Sequence, residues 1–245
     1  MENIMDLFAG FMGFLASDET MTVLVLAITI GVSIIVGVLA GNSAVVVFNR
    51  MPARWLCDYN QEPSEELKSM DSQRIKSHPW KVVFSVFFVV CALAMATDDP
   101  RYAVTAIISI WALLIIAVAD RKYMIIPDQF VMMLAITAVG FVPFHGDFLA
   151  PLWGALLGGG FMFVIGFFGK LIFKKEALGF GDVKLLAAIG LMVGPMGVAL
   201  ILMASSFMSC LHFMVLMIMK KIKRTDVMPL GPYVALATTV YLIVI

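Results

Sequence analysis

Charge is scarce in this 245-residue sequence: Asp, Glu, Lys and Arg supply 14% of it, against 62% hydrophobic residues. So little charge excludes a water-facing surface over most of the chain, and the mean hydropathy of +0.99 makes the bilayer its solvent. Cysteine is nearly absent as well. Cys57, Cys91 and Cys210 lie far apart and form no Cys-x-x-Cys pair, so neither a disulfide framework nor a zinc site is supported and no metal is expected. Only three histidines occur, His78, His145 and His212, without ligand spacing. His78-Pro79-Trp80 reads as a loop entering a span, and His212 as a satisfied histidine within one. There is no internal repeat, no low-complexity tract and no basic–aromatic pattern, which argues against a nucleic-acid partner.

What the sequence does have is long stretches without charge. They run from Thr20 to Asn49, Val82 to Thr97, Tyr102 to Ala119, Gln129 to Gly146, Phe148 to Gly169, Leu185 to Met219 and Val227 to Ile245. A membrane-spanning helix needs about 20 mostly apolar residues. The sixth stretch is too long for one crossing and contains Gly194-Pro195, where proline removes a backbone donor and disfavours helix before it. Dividing it there predicts eight transmembrane helices. The first stretch follows acidic Asp18 and Glu19, lacks the basic start of a signal peptide, and is expected to stay in the mature chain. Nineteen methionines suit adaptable apolar packing.

An even number of crossings puts both termini on one side. Of the 17 Lys and Arg residues, all but Arg101 fall in the segments 50–81, 121–122, 170–184 and 220–224, which alternate along the chain. By the positive-inside rule those segments are cytoplasmic and both termini are outside, on the periplasmic side of an inner membrane. The expectation is an all-α polytopic membrane protein, residues 1–245 forming a single integral domain. The loop 50–81 is its largest soluble piece, too short for its own core. Glu65-Glu66-Leu67-Lys68 allows a short surface helix within that loop.

Carboxylates near membrane depth are costly, so each needs a partner, water or a function. Asp120 ends the third expected span and Asp182 opens the sixth, in Gly179-Phe-Gly181-Asp-Val-Lys184. Both fall at the cytoplasmic end of a helix. Leu185 to Val193 alone would rise about 14 Å against a hydrocarbon thickness of about 30 Å. The helix is therefore expected to begin near Asp182, drawing the glycine turn below the headgroups, where irregular backbone must be buried in protein or line a watery cavity. Glycines suit such a turn through positive φ or close approach of a second chain. Read locally, Asp120 is equally an interfacial residue and Asp182 an N-cap. Asp128, following Pro127, suits helix capping, and Lys184 suits snorkelling to the interface.

The motif Gly179-Phe-Gly181-Asp182-Val-Lys184 resembles the Gly-x-Gly-Asp-x-Lys signature of the type IV prepilin (leader) peptidases, the GxGD class of membrane aspartic proteases. Three further blocks occur in the family's order. Asp120-Arg-Lys-Tyr-Met-Ile-Ile-Pro127-Asp128 resembles its third-span ending, Gly41 to Arg50 with Pro52 the end of its first span, and Pro229-Leu-Gly231-Pro232-Tyr233 the start of its last. The resemblance implies that Asp120 and Asp182 are the catalytic pair, with Gly179, Gly181, Lys184, Pro127 and Asp128 as motif residues around them. It implies prepilin or pseudopilin substrates cut at the cytoplasmic face. Two close carboxylates cannot both ionise easily, which suits one to activate water and the other to hold a proton, with no metal or cofactor. Some family members also N-methylate the new N-terminus with S-adenosylmethionine.

This chain departs from the pattern at Val45, where the family usually has asparagine, and in the loop 50–81, which lacks two Cys-x-x-Cys pairs. Two other readings stay open at this point. One is a related GxGD protease with non-pilin substrates; the other is a secondary transporter or channel using its membrane carboxylates.

Overall fold

Each charge-free run carries a helix in the computed structural model, which describes residues 18–57, 62–63, 67, 73–173, 179–223 and 227–244. In chain order these are α1 (Asp18–Arg50), α2 (Ser77–Ala94), α3 (Pro100–Tyr123), α4 (Asp128–Thr137), α5 (Ala150–Phe173), α6 (Phe180–Ile218) and α7 (Gly231–Val244). A 3-10 segment, Ala138–Phe144, prolongs α4, and a 3-10 turn, Ala53–Leu56, follows α1. No strand occurs among the described residues. Helices α1, α2, α3, α5 and α6 are long and apolar enough to cross a membrane; α4 with its extension and α7 are shorter apolar helices. The chain is an all-helical, multi-pass membrane protein.

The expected division of the sixth run is present as a kink. Gly194 leaves the helical conformation at φ 72° and ψ −177°, so α6 consists of two helical pieces, 180–193 and 195–218. A positive φ there is open to glycine at little cost, and Pro195 after it contributes no N–H. The Met192 carbonyl accepts a hydrogen bond from His145 Nε2 at 3.0 Å.

Burial ranks the helices. The apolar window of α6 is 67% buried and that of α3 44%, against 11% for α1, so α3 and α6 are central and α1 is peripheral. Ile110, Leu113 and Ile116 of α3 meet Leu185, Leu186 and Ile189 of α6 in one core that also takes Leu134 of α4 and Val234 of α7. Around this centre α1 packs on α2 and α5 on α6. Small residues permit both contacts. A Cβ on Gly37 or Gly41 would overlap the backbone of Val89 or Ser85, and one on Gly154 or Gly158 the carbonyls of Gly190 or Leu186. The spacing of four puts each glycine pair on one helix face. Val45, which stands where the resemblance leads one to expect asparagine, is buried with Ala44 and Phe84.

Local chemistry fixes the helix ends near the centre. Asp99 caps α3 by accepting from the Arg101 N–H at 2.8 Å, with Pro100 at the first helical position. The return from the loop 50–81 is tied to the end of α1. Asn49 exchanges two hydrogen bonds with the Ile75 backbone, at 2.8 and 3.0 Å, and the Arg74 guanidinium donates to the carbonyls of Phe48, Met51 and Leu67. Lys122 in turn donates to the Arg74 carbonyl, joining the loop to α3. Of the expected surface helix at 65–68, Glu65, Glu66 and Lys68 lie outside the described residues, as does the chain before Asp18.

Candidate active site

Helix α3 stops three residues after Asp120. Met124 adopts the left-handed conformation at φ 55° and returns its N–H to the Asp120 carbonyl at 2.8 Å, which closes the helix. The chain then runs irregularly to Pro127, whose carbonyl accepts from the N–H groups of Phe130 and Val131 as α4 begins. Facing this stretch is the start of α6. Gly179 is its N-cap, at φ −69°, and Asp182 lies in the first turn, its N–H bonded to the Gly179 carbonyl at 3.1 Å.

Asp182 is therefore not the N-cap that a local reading allows, and the helix opens slightly earlier than expected, at Phe180. Positive φ is not used at Gly179 or Gly181 either. Gly181 instead allows close approach: a Cβ there would come within 3.1 Å of the Ile126 side chain on the opposite segment, a tight contact.

These segments enclose a cleft of about 770 Å³, lined by Asp120, Ile125, Ile126, Pro127, Asp128, Gly179, Phe180, Gly181, Asp182 and Lys184, with Arg54, Trp55 and Cys57 from the turn after α1. All seven residues singled out in the sequence meet here. Asp120 is buried, 6% exposed, and Asp182 is half-buried. Both carboxylates face this one cleft. Asp120 is held from a third direction: its Oδ2 accepts the Gly231 N–H at 2.7 Å, at the first residue of α7. A Cβ on Gly231 would lie 2.6 Å from that oxygen, so no other residue allows α7 to approach this closely.

The sequence reading gives Asp128 to capping and Lys184 to the interface, separately. The structure brings them together. Lys184 Nζ reaches both carboxylate oxygens of Asp128, at 2.8 and 3.0 Å, while lying over the Phe180 ring. Gly231 and the turn carrying Arg54, Trp55 and Cys57 join the site from beyond the residues the sequence singles out. The block Pro229-Leu-Gly231-Pro232-Tyr233 was the available signal for the first; for the turn there was none beyond its position after a span. His212 pairs with the Tyr233 hydroxyl, a satisfied half-buried histidine as its place in a span suggested. Among the described residues no cluster of His, Cys, Asp and Glu is arranged to hold a metal ion.

Fold and site together define a class: a multi-pass helical membrane protein with two aspartates converging on one cleft at the helix ends. The profile of the Type IV leader peptidase family matches residues 107–214, which contain both aspartates. A leader peptidase HopD of Escherichia coli is 35% identical over 122 residues, covering 48% of this chain and 78% of that protein. Prepilin leader peptidase/N-methyltransferases of Aeromonas salmonicida (strain A449) and Stutzerimonas stutzeri are 29% and 31% identical over 151 and 138 residues. Those matches cover 59% and 54% of this chain and 50% and 47% of the relatives, so the chain spans about half the length of these curated relatives. No solved structure matches. The chain belongs to the type IV leader peptidase family.

Proposed function

We propose that residues 1–245 form a single membrane aspartic endopeptidase domain that removes the leader from prepilin or pseudopilin substrates at the cytoplasmic face of the inner membrane. The observation that carries this reading is the convergence of Asp120 and Asp182 on one open cleft. In the reaction one carboxyl of the pair keeps its proton and the other takes a proton from a water molecule, whose oxygen attacks the scissile carbonyl carbon. The protonated carboxyl gives its proton to the carbonyl oxygen. The tetrahedral intermediate then collapses as a proton reaches the leaving nitrogen. Gly231 fixes the orientation of Asp120 throughout.

The topology we propose has eight crossings, with 50–81, 121–127, 170–181 and 220–226 in the cytoplasm and both termini in the periplasm. The alternation of basic residues supports it, as does the kink at Gly194, which gives α6 two pieces. Contacts between Lys122 and Arg74 and between Ile126 and Gly181 draw three of these connections together. A transporter reading has no comparable support.

S-adenosylmethionine is the second ligand that the relatives' names suggest. It needs an anion-binding turn for its carboxylate beside an acceptor for its ribose hydroxyls. The glycine turn at 179–181 lines the open cleft at the start of α6, and only Gly181 is packed against Ile126. Methylation of the new N-terminus is a second activity that mass spectrometry of pilin processed by this protein alone, with S-adenosylmethionine added, reads directly; an unmethylated product would remove it.

Incubating the purified protein with a synthetic prepilin and sequencing the product by mass spectrometry tests the reading. A new N-terminus at the junction between basic leader and apolar helix is expected from the wild type. Wild-type rates in both Asp120→Asn and Asp182→Asn would overturn it.

A further inference from the structure

Two walls face each other across the cleft. One carries Asp120, the irregular segment after it and Asp128; the other is the first turn of α6, with Asp182 and Lys184. A second negative charge on the pair would push these walls apart, so only one of Asp120 and Asp182 ionises while the walls stay close. The packing of Ile126 on Gly181 and the ion pair of Lys184 with both oxygens of Asp128 hold them together beside the carboxylates. Residues two apart on a helix do not face each other, so Lys184 is not placed as the counter-ion of its neighbour Asp182. Its charge is committed across the cleft.

The geometry points to the Lys184–Asp128 ion pair as a clasp that sets the separation of Asp120 and Asp182, which makes Lys184 and Asp128 positioning residues for the reaction proposed above, on which this inference rests. The pair joins the start of α4 to the start of α6, two residues from one reacting carboxylate and eight from the other. Its side chains are 36% and 28% exposed. A pair so open to solvent adds little to the stability of the fold. Its geometric effect is larger, because displacing a reacting group by about 1 Å costs on the order of 100-fold in rate.

The experiment compares kcat and KM for prepilin cleavage by the wild type, Lys184→Met, Asp128→Leu and the charge-swapped double variant Asp128→Lys/Lys184→Asp, each normalised to folded protein by its detergent-unfolding transition. Each single variant is expected to lose about 100-fold in kcat with little change in KM and a near-wild-type midpoint. The swapped pair is expected to recover at least about tenfold of that loss, since it restores the attraction with reversed polarity. Wild-type kcat in the single variants would overturn the clasp. So would a loss confined to KM, a loss fully accounted for by unfolded protein, or a swapped variant no better than the singles. Failure of the wild type to cleave, or wild-type rates in both Asp120→Asn and Asp182→Asn, would instead sink the peptidase reading itself.

Discussion

The short helical piece 180–193 is irregular at both ends, and the two ends are built in opposite ways. At one end Gly194 is buried, Pro195 follows it, and His145 supplies the hydrogen bond that the Met192 carbonyl would otherwise lack. At the other end Gly179 and Phe180 are exposed, the turn opens on a cleft, and acidic side chains gather around it. Irregular backbone inside an apolar bundle must be satisfied by protein or reach water. The first end takes the internal solution and the second the open one. A closed break shapes the bundle; an open break beside two carboxylates can hold a substrate and a water.

If that contrast is right, substitutions at the two ends separate into losses of rate and losses of stability. The largest effect is expected at the open end. Asp120→Asn and Asp182→Asn should each lower cleavage by about 10² to 10⁴-fold, since each removes one partner in proton transfer while nearly preserving shape. Their unfolding transitions should stay close to the wild type. Accumulation defects in place of rate defects would show that the open end is structural after all.

Next in size is Gly231→Ala. Its methyl group would occupy space 2.6 Å from Asp120 Oδ2, so the carboxylate or α7 must shift. A displacement of about 1 Å predicts a drop on the order of 100-fold in kcat. An unchanged kcat would mean that α7 does not set the position of Asp120.

The closed end should behave differently. His145→Ala leaves the Met192 carbonyl without its partner and is expected to destabilise the protein by about 1–3 kcal/mol. Gly194→Ala forces a side chain into an extended positive-φ conformation that is essentially glycine's own and should cost about 1–3 kcal/mol. In both, turnover per folded molecule should match the wild type, which unfolding titrations paired with cleavage assays would check. A rate loss there without a stability loss would erase the distinction between the two ends.

Much of this molecule is legible in the sequence alone. Scarcity of charge determined the bilayer as solvent, charge-free runs located α1 to α7, and Gly194-Pro195 located the kink, because each depends on residues near one another in the chain. The same local logic put Asp120 and Asp182 at helix ends. It could not say what those ends face. Only the tertiary structure decided that Gly231 donates to Asp120, that Lys184 clasps Asp128, and that Arg74 and Asn49 fold the loop back on α1. It also decided what Gly181 provides, close approach to Ile126 rather than a positive φ. The reason is physical: helix formation in an apolar solvent is governed by backbone hydrogen bonds between residues four apart, whereas a site is a meeting of side chains whose separation is set by how closely helices pack.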